Sequence, residues 1–188
     1  MGKVVMMQGM SLDGYIEGPN REIDWHRVDH ELHAFMNATF ASTGAFLEGR
    51  VSYELMDDFW PNADQDPSLP APMLEFARIW RDTPKYVFSR TLEHAGGGAT
   101  IVREVDRAHI EELKQQHGEL WVGGAELIAE FLRQGLVDEM RVYVHPVAIG
   151  AGNPLFKPGT QLEVELIDTR RFSNGVVLLH YGVVSRAS

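Results

Sequence analysis

Three stretches of this sequence carry residues suited to holding phosphate: Gly123–Gly124 in "WVGGAEL", Gly49, Arg50 and Ser52 in "EGRVSYE", and Ser89–Arg90 in "VFSR". Glycine costs about 1 kcal/mol relative to alanine inside regular structure, so an adjacent pair where a strand runs into a helix asks for a reason. Free N–H groups at a helix N-terminus, with the positive end of its dipole, attract anions, and glycine lets a phosphate reach the backbone. Val122, Gly123 and Gly124, with Ala125 and Glu126 opening the helix, therefore form a candidate pyrophosphate cradle. Arg50 and Ser52 would add a guanidinium and a hydroxyl to the amides of a second turn. Ser89 and Arg90 end a strand and could hold a phosphate monoester. Each turn alone also fits close packing or a solvent-exposed arginine; all three together point to a dinucleotide.

The usual dinucleotide and nucleotide motifs are missing. The nearest match to GxGxxG is "GAGNPL" at Gly150, where Leu155 replaces the last glycine and Pro154 spoils the helix. No GxxxxGK[ST] occurs. Candidates for proton transfer are Asp24 in a loop and Asp29, Glu31 and His33 in "DHELH". Trp25, Tyr53, Trp60 and Phe156 offer flat walls for a ring, and core packing accounts for each equally well. His26, His30 and His33 have spacings that could clamp a metal on a helix, against the simpler reading of a polar helix start.

The elements that must position these groups follow from periodicity. "KVVMMQGM" is a compact buried strand, and a long Gly/Pro/Asp loop follows it. Asp29 caps a helix carrying Leu32, Phe35, Met36 and Phe40. "GAFLEGR" is a strand turning at Gly49 into a helix, and "PNADQDPSLPAP" is an exposed proline-rich loop of about ten residues. Met73, Phe76, Ala77 and Trp80 form a helical stripe; "KYVFSR" is a strand and "AGGGAT" a turn. A helix marked by Ile110 and Leu113, the strand "LWVGG" and a helix with Leu127, Ile128, Phe131 and Leu132 come next. The remainder is β-rich and closes on a hairpin at "SNG". This order predicts one three-layer α/β domain over residues 1–188, with a mainly parallel mixed sheet and C-terminal antiparallel strands.

Composition narrows the function. The 188 residues are 44% hydrophobic with a net charge of −10, which argues against a nucleic-acid or anionic-membrane partner. There is no cysteine, which removes thiolate chemistry and suits a cytoplasmic chain without disulfides. No apolar run reaches membrane-spanning length.

The ordered set "SLDGYIEGP", "GRVSYELM", "KYVFSRTL", "WVGGAEL", "GLVDEMRVYVHPVAIGAGNPLF" and "GVVLLHY" resembles the dihydrofolate-reductase-like family over nearly the whole chain. Within that family it is similar to the C-terminal reductase domain of the bifunctional riboflavin biosynthesis deaminase-reductase. The resemblance implies NADPH, hydride transfer to a pyrimidine-, pterin- or ribosylamino-pyrimidine-like ring, no metal, and often a homodimer, here through hydrophobic edge strands near "VYVHPV". It implies cofactor contacts at Asp13 and Gly14 in the loop over the nicotinamide, at the three turns above, and at Gly150 and Gly152 in the return loop. The proton donor stays open among Asp13, Asp24 and Glu31 with their neighbours. Zinc-dependent deamination is excluded, because its ligands include cysteines. A nucleotide-binding module without turnover and a true dihydrofolate reductase are the alternatives.

Overall fold

In a computed structural model describing residues 2–184, the elements run β1 (Lys3–Ser11), β2 (Tyr15–Glu17), α1 (His30–Phe40), β3 (Thr43–Gly49), α2 (Arg50–Ala63), α3 (Ala71–Asp82), β4 (Lys85–Phe88), β5 (Thr100–Val102), α4 (Arg107–His117), β6 (Glu119–Gly123), α5 (Ala125–Arg133), β7 (Glu139–His145), β8 (Asn153–Pro154), β9 (Val164–Arg171) and β10 (Val177–Val183). Eight strands form one sheet in the order β5-β4-β3-β6-β1-β7-β10-β9, parallel except that β10 runs against both β7 and β9. The expected three-layer mixed sheet is thus observed. Among the described residues, no helix is long and apolar enough to cross a membrane.

Alternation along the central strands builds a core on each face of the sheet, and a third cluster joins Leu32 of α1 to Tyr143, Phe172 and Leu178. Val4, Met6, Leu47 and Val122 pack with Ile110 and Leu113 of α4 and Leu127, Ile128 and Phe131 of α5. On the other face Val5, Phe46 and Trp121 pack with Phe40 of α1, Tyr53 of α2, and Phe76 and Trp80 of α3. The helix after β3 therefore covers one face of the sheet and the helix after β6 the other, although β3 and β6 are neighbours. Loops diverging from adjacent parallel strands open a crevice at their carboxyl ends.

Four local readings change. Helix α2 continues through Pro61 to Ala63, so the proline-rich loop is shorter than its composition suggests. A proline in the last turn forfeits a single ladder bond, and the helix is held there by Trp60 against Phe76, ring centroids 4.6 Å apart. A short strand, β5, follows the glycine turn. The long N-terminal loop contains β2, which pairs with β8. The segment "VYVHPV" lies on β7, hydrogen-bonded on both sides by β1 and β10, so it offers no edge. The sheet's edges are the three-residue β5 and the longer β9, all eight of whose residues are exposed.

Candidate functional site

The crevice between the ends of β3 and β6 is a cleft of about 1220 Å³. Gly49, Arg50, Ser52, Ser89, Arg90, Gly124, Ala125, Glu126 and Gly152 line it, so most of the phosphate-suited residues from separate turns meet in one place. Their helices are built unusually. Helices α1 and α4 are capped by Asp29 and Asp106, each accepting a backbone N–H. Helices α2 and α5 instead start after Gly49 and Gly124, with no side-chain cap. Their first-turn amides are left for a ligand or solvent. α3 is uncapped as well, with Pro72 in its first turn, and it opens elsewhere.

The two glycines of the 123–124 pair have different reasons for being bare. Gly124 sits at φ +91°, where an added Cβ would lie 3.3 Å from the Gly49 nitrogen and from Ser52 Cβ. Gly123 has ordinary backbone, but a Cβ there would lie 2.7–2.8 Å from both carboxyl oxygens of Glu48, its partner across the β3–β6 ladder. Gly124 therefore opens the cleft, and Gly123 makes room for an acid. Gly49 is extended, and a Cβ on it would meet nothing nearer than 3.6 Å.

Glu48 lines a second cavity of about 500 Å³, between the sheet and helices α1, α2 and α3. Its walls are Phe40, Phe46, Trp60, Phe76, Trp80 and Trp121, with methionines 7, 36, 56 and 73. His26 and Met56 line both cavities, so the two adjoin. The Glu48 carboxyl is 7% exposed and accepts a 2.6 Å hydrogen bond from the Ser52 hydroxyl. Burial pushes its pKa up to about 7, against the opposing pull of Ser52 and of Lys85 on β4. A buried acid poised near neutrality can both give and take a proton.

Other expected site residues are placed differently. Asp13, Asp24 and Glu31 are exposed and line neither cavity. Asp13 accepts from the Ser11 hydroxyl at 2.7 Å and from the Ile149 and Gly150 amides at 3.1 and 2.8 Å, and the Ser11 bond holds its carboxyl below the usual range. Together with the Leu155 amide donating to the Gly14 carbonyl at 3.0 Å, it braces one loop against the other, and Asp13, Gly14 and Gly150 line neither cavity. Glu31 takes the Ser173 hydroxyl at 2.6 Å and lies 3.6 Å from Arg170, lowering its pKa. Of the four ring-wall candidates only Trp60 lines the second cavity, joined there by Val122 and Gly123. Tyr53 is core, its hydroxyl near Asp57 and the Gly96 carbonyl; Trp25 packs on His26 and His145; Phe156 is exposed. Sequence reading missed Glu48, whose signal was a carboxylate inside a run that is otherwise apolar or small. It also missed Arg103 and Arg133, which line the cleft without any local motif.

This architecture has relatives. The model of the RibD C-terminal domain family matches residues 2–178. The chain belongs to that family. As a RibD C-terminal domain it is 34% identical to YyaP of Bacillus subtilis, over 95% of this chain and 94% of that protein. RibD of Acinetobacter baumannii shares the fold at TM-score 0.69 and 20% identity, with 98% of this chain covering 58% of that one. Dihydrofolate reductase from Enterococcus faecalis, solved with NADP(H), matches at TM-score 0.65 and 12% identity over 98% of each chain. The RibD C-terminal domain described here thus has the dihydrofolate-reductase-like fold.

Proposed function

We propose that this protein is an NADPH-dependent reductase that passes hydride to a planar heterocycle held beside Glu48. The observation that carries this reading is the meeting of two unlike cavities along His26 and Met56, with the buried acid Glu48 in the wall of the second and hydrogen-bonded to Ser52 of the first. One cavity has uncapped helix N-termini and guanidinium groups suited to phosphates; the other is apolar, ring-sized and lined by Glu48 and Gly123. Bound NADPH would supply the hydride. The amides opening α2 and α5 would hold its pyrophosphate, with Arg50 alongside. Arg90 and Arg103 would face the adenosine 2′-phosphate, which favours NADPH over NADH; Arg103 also donates to the Ser89 and Leu92 carbonyls and fixes that loop. Glu48 would hold the proton that the reduced ring nitrogen takes up.

A true dihydrofolate reductase fits less well, because α1 presents His33, Met36 and Phe40 to the second cavity and no carboxylate. Titration calorimetry with NADPH, followed by NADPH oxidation over a panel of ring substrates, tests the reading. No heat at saturating NADPH would reject it. Binding with no oxidation of any ring would favour a nucleotide-binding module.

Arg50→Ala is expected to weaken NADPH binding by about 1.5–3 kcal/mol, a ten- to hundredfold loss typical of a hydrogen bond to a charged group. Among the described residues Arg50 pairs with exposed Glu54 alone, at 2.7 Å, so the folded state should lose little stability. An unchanged dissociation constant would remove Arg50 from the site.

We also propose that two copies associate through β9, in the cytoplasm. Its outer side is a free sheet edge bearing Leu166 and Ile167, 56% and 54% exposed. Sedimentation velocity should show a dimer that Leu166→Lys converts to monomer; a wild-type monomer at high concentration would count against it.

A further inference from the structure

We infer that the second cavity takes an uncharged, unphosphorylated fused nitrogen heterocycle, reduced at a ring C=N bond beside Glu48, in place of a phosphorylated ribosylamino-pyrimidine. This rests on the reductase reading and narrows its substrate. The wall is aromatic and methionine-rich, and no lysine or arginine lines it. A phosphate dianion needs guanidinium or ammonium partners when it leaves water. The titratable groups lining the cavity are Glu48, His26 and His33. Burial lowers the pKa of both histidines, so neither supplies a cation at neutral pH.

The cations nearby are engaged elsewhere. Lys85, which faces Glu48 from β4, donates to the Thr83 carbonyl at 2.8 Å and lies over the Trp80 ring at 5.0 Å. Arg141 lies over Trp121 at 5.0 Å without lining the cavity. Arg50, Arg90, Arg103 and Arg133 all belong to the first cleft, where the dinucleotide phosphates would use them. A cavity of about 500 Å³ suits a drug-sized flat ring system.

Quinazoline is a suitable probe. The step adds hydride from NADPH to its C4, breaks the C=N π bond, and places the Glu48 proton on N3. NADP⁺ and dihydroquinazoline result, and the Glu48 carboxylate recovers a proton from water.

Calorimetric titration of the full chain, saturated with NADP⁺, compares quinazoline with a ribosylamino-pyrimidine phosphate. Quinazoline is expected to bind at least about tenfold more tightly. Met36→Trp, which fills the cavity from α1, should weaken quinazoline at least about tenfold while leaving NADPH affinity unchanged. Met73→Trp, from α3, gives the same readout should the first variant misfold. Tighter binding of the phosphorylated compound, or quinazoline binding indifferent to both substitutions, would overturn the assignment. Quinazoline binding without any NADPH binding would sink the reductase reading and keep the cavity's preference. NADPH binding without quinazoline binding would do the reverse.

Discussion

Glu48→Gln is expected to retain NADPH affinity and to lower turnover about 10²–10⁴-fold, the usual contribution of a positioned general acid. Glutamine keeps the shape that Gly123 accommodates and can still accept the Ser52 hydroxyl, but has no proton to give. The pH profile separates this from a merely structural loss. Wild-type turnover should fall as pH rises through about 7, where the Glu48 proton is lost, and the variant should lack that limb. Stability carries the same signature. The folded chain keeps the Glu48 proton up to about pH 7, whereas the unfolded chain releases it near the ordinary glutamate value of 4.5. The native state therefore binds the extra proton between those values, and stability drops across that window. Urea denaturation of the NADPH-free protein at pH 5 and pH 8 should show wild type losing about 2.5 kcal/mol relative to the variant. A pH-independent difference between them, or turnover within threefold of wild type, would remove Glu48 from the chemistry.

Gly124→Val should abolish measurable NADPH binding and also destabilise the fold. The backbone at φ +91° suits glycine, and a β-branched residue there costs about 1–3 kcal/mol or more before any contact is counted. The new Cβ also presses on the Gly49 nitrogen and Ser52, driving apart the two turns that open α2 and α5. A fall in melting temperature of about 3–10 °C is expected for a chain of this size. Gly150→Ala separates strain from site: Gly150 is also at positive φ, +78°, yet nothing lies within 4 Å of its added Cβ and it does not line the cleft. That variant should lose stability and keep NADPH. Retained affinity in Gly124→Val would leave backbone conformation and close packing as the reasons for the glycine.

Much of the architecture was legible because the core faces alternate cleanly. Leu127, Ile128, Phe131 and Leu132 announce α5, and Asp29 does cap α1. What failed was punctuation that tertiary contacts override: Pro61 inside α2, and the short strands β2 and β5, which exist only because neighbours pair with them. The cleft was legible in part for a similar reason. Glycines at strand ends are local signals, whereas Arg103 and Arg133 reach the cleft only through the crossovers. The acids misled because Asp13 and Glu31 look reactive in sequence while the fold commits them as hydrogen-bond acceptors in loop bracing. Glu48 looked like part of a strand, and its depth is a property of the sheet order, with β4 and β6 flanking β3.

The glycine starts of α2 and α5 have a thermodynamic side. A side-chain stopper at a helix N-terminus is worth only about a few tenths of a kcal/mol over glycine, and the protein forgoes that small sum twice at the cleft. A dinucleotide that satisfies those amides would return the deficit, so occupancy and heat resistance rise together. Conversely, an aspartate installed at position 49 would toughen the ligand-free chain while its own carboxylate competed for the place of a phosphate.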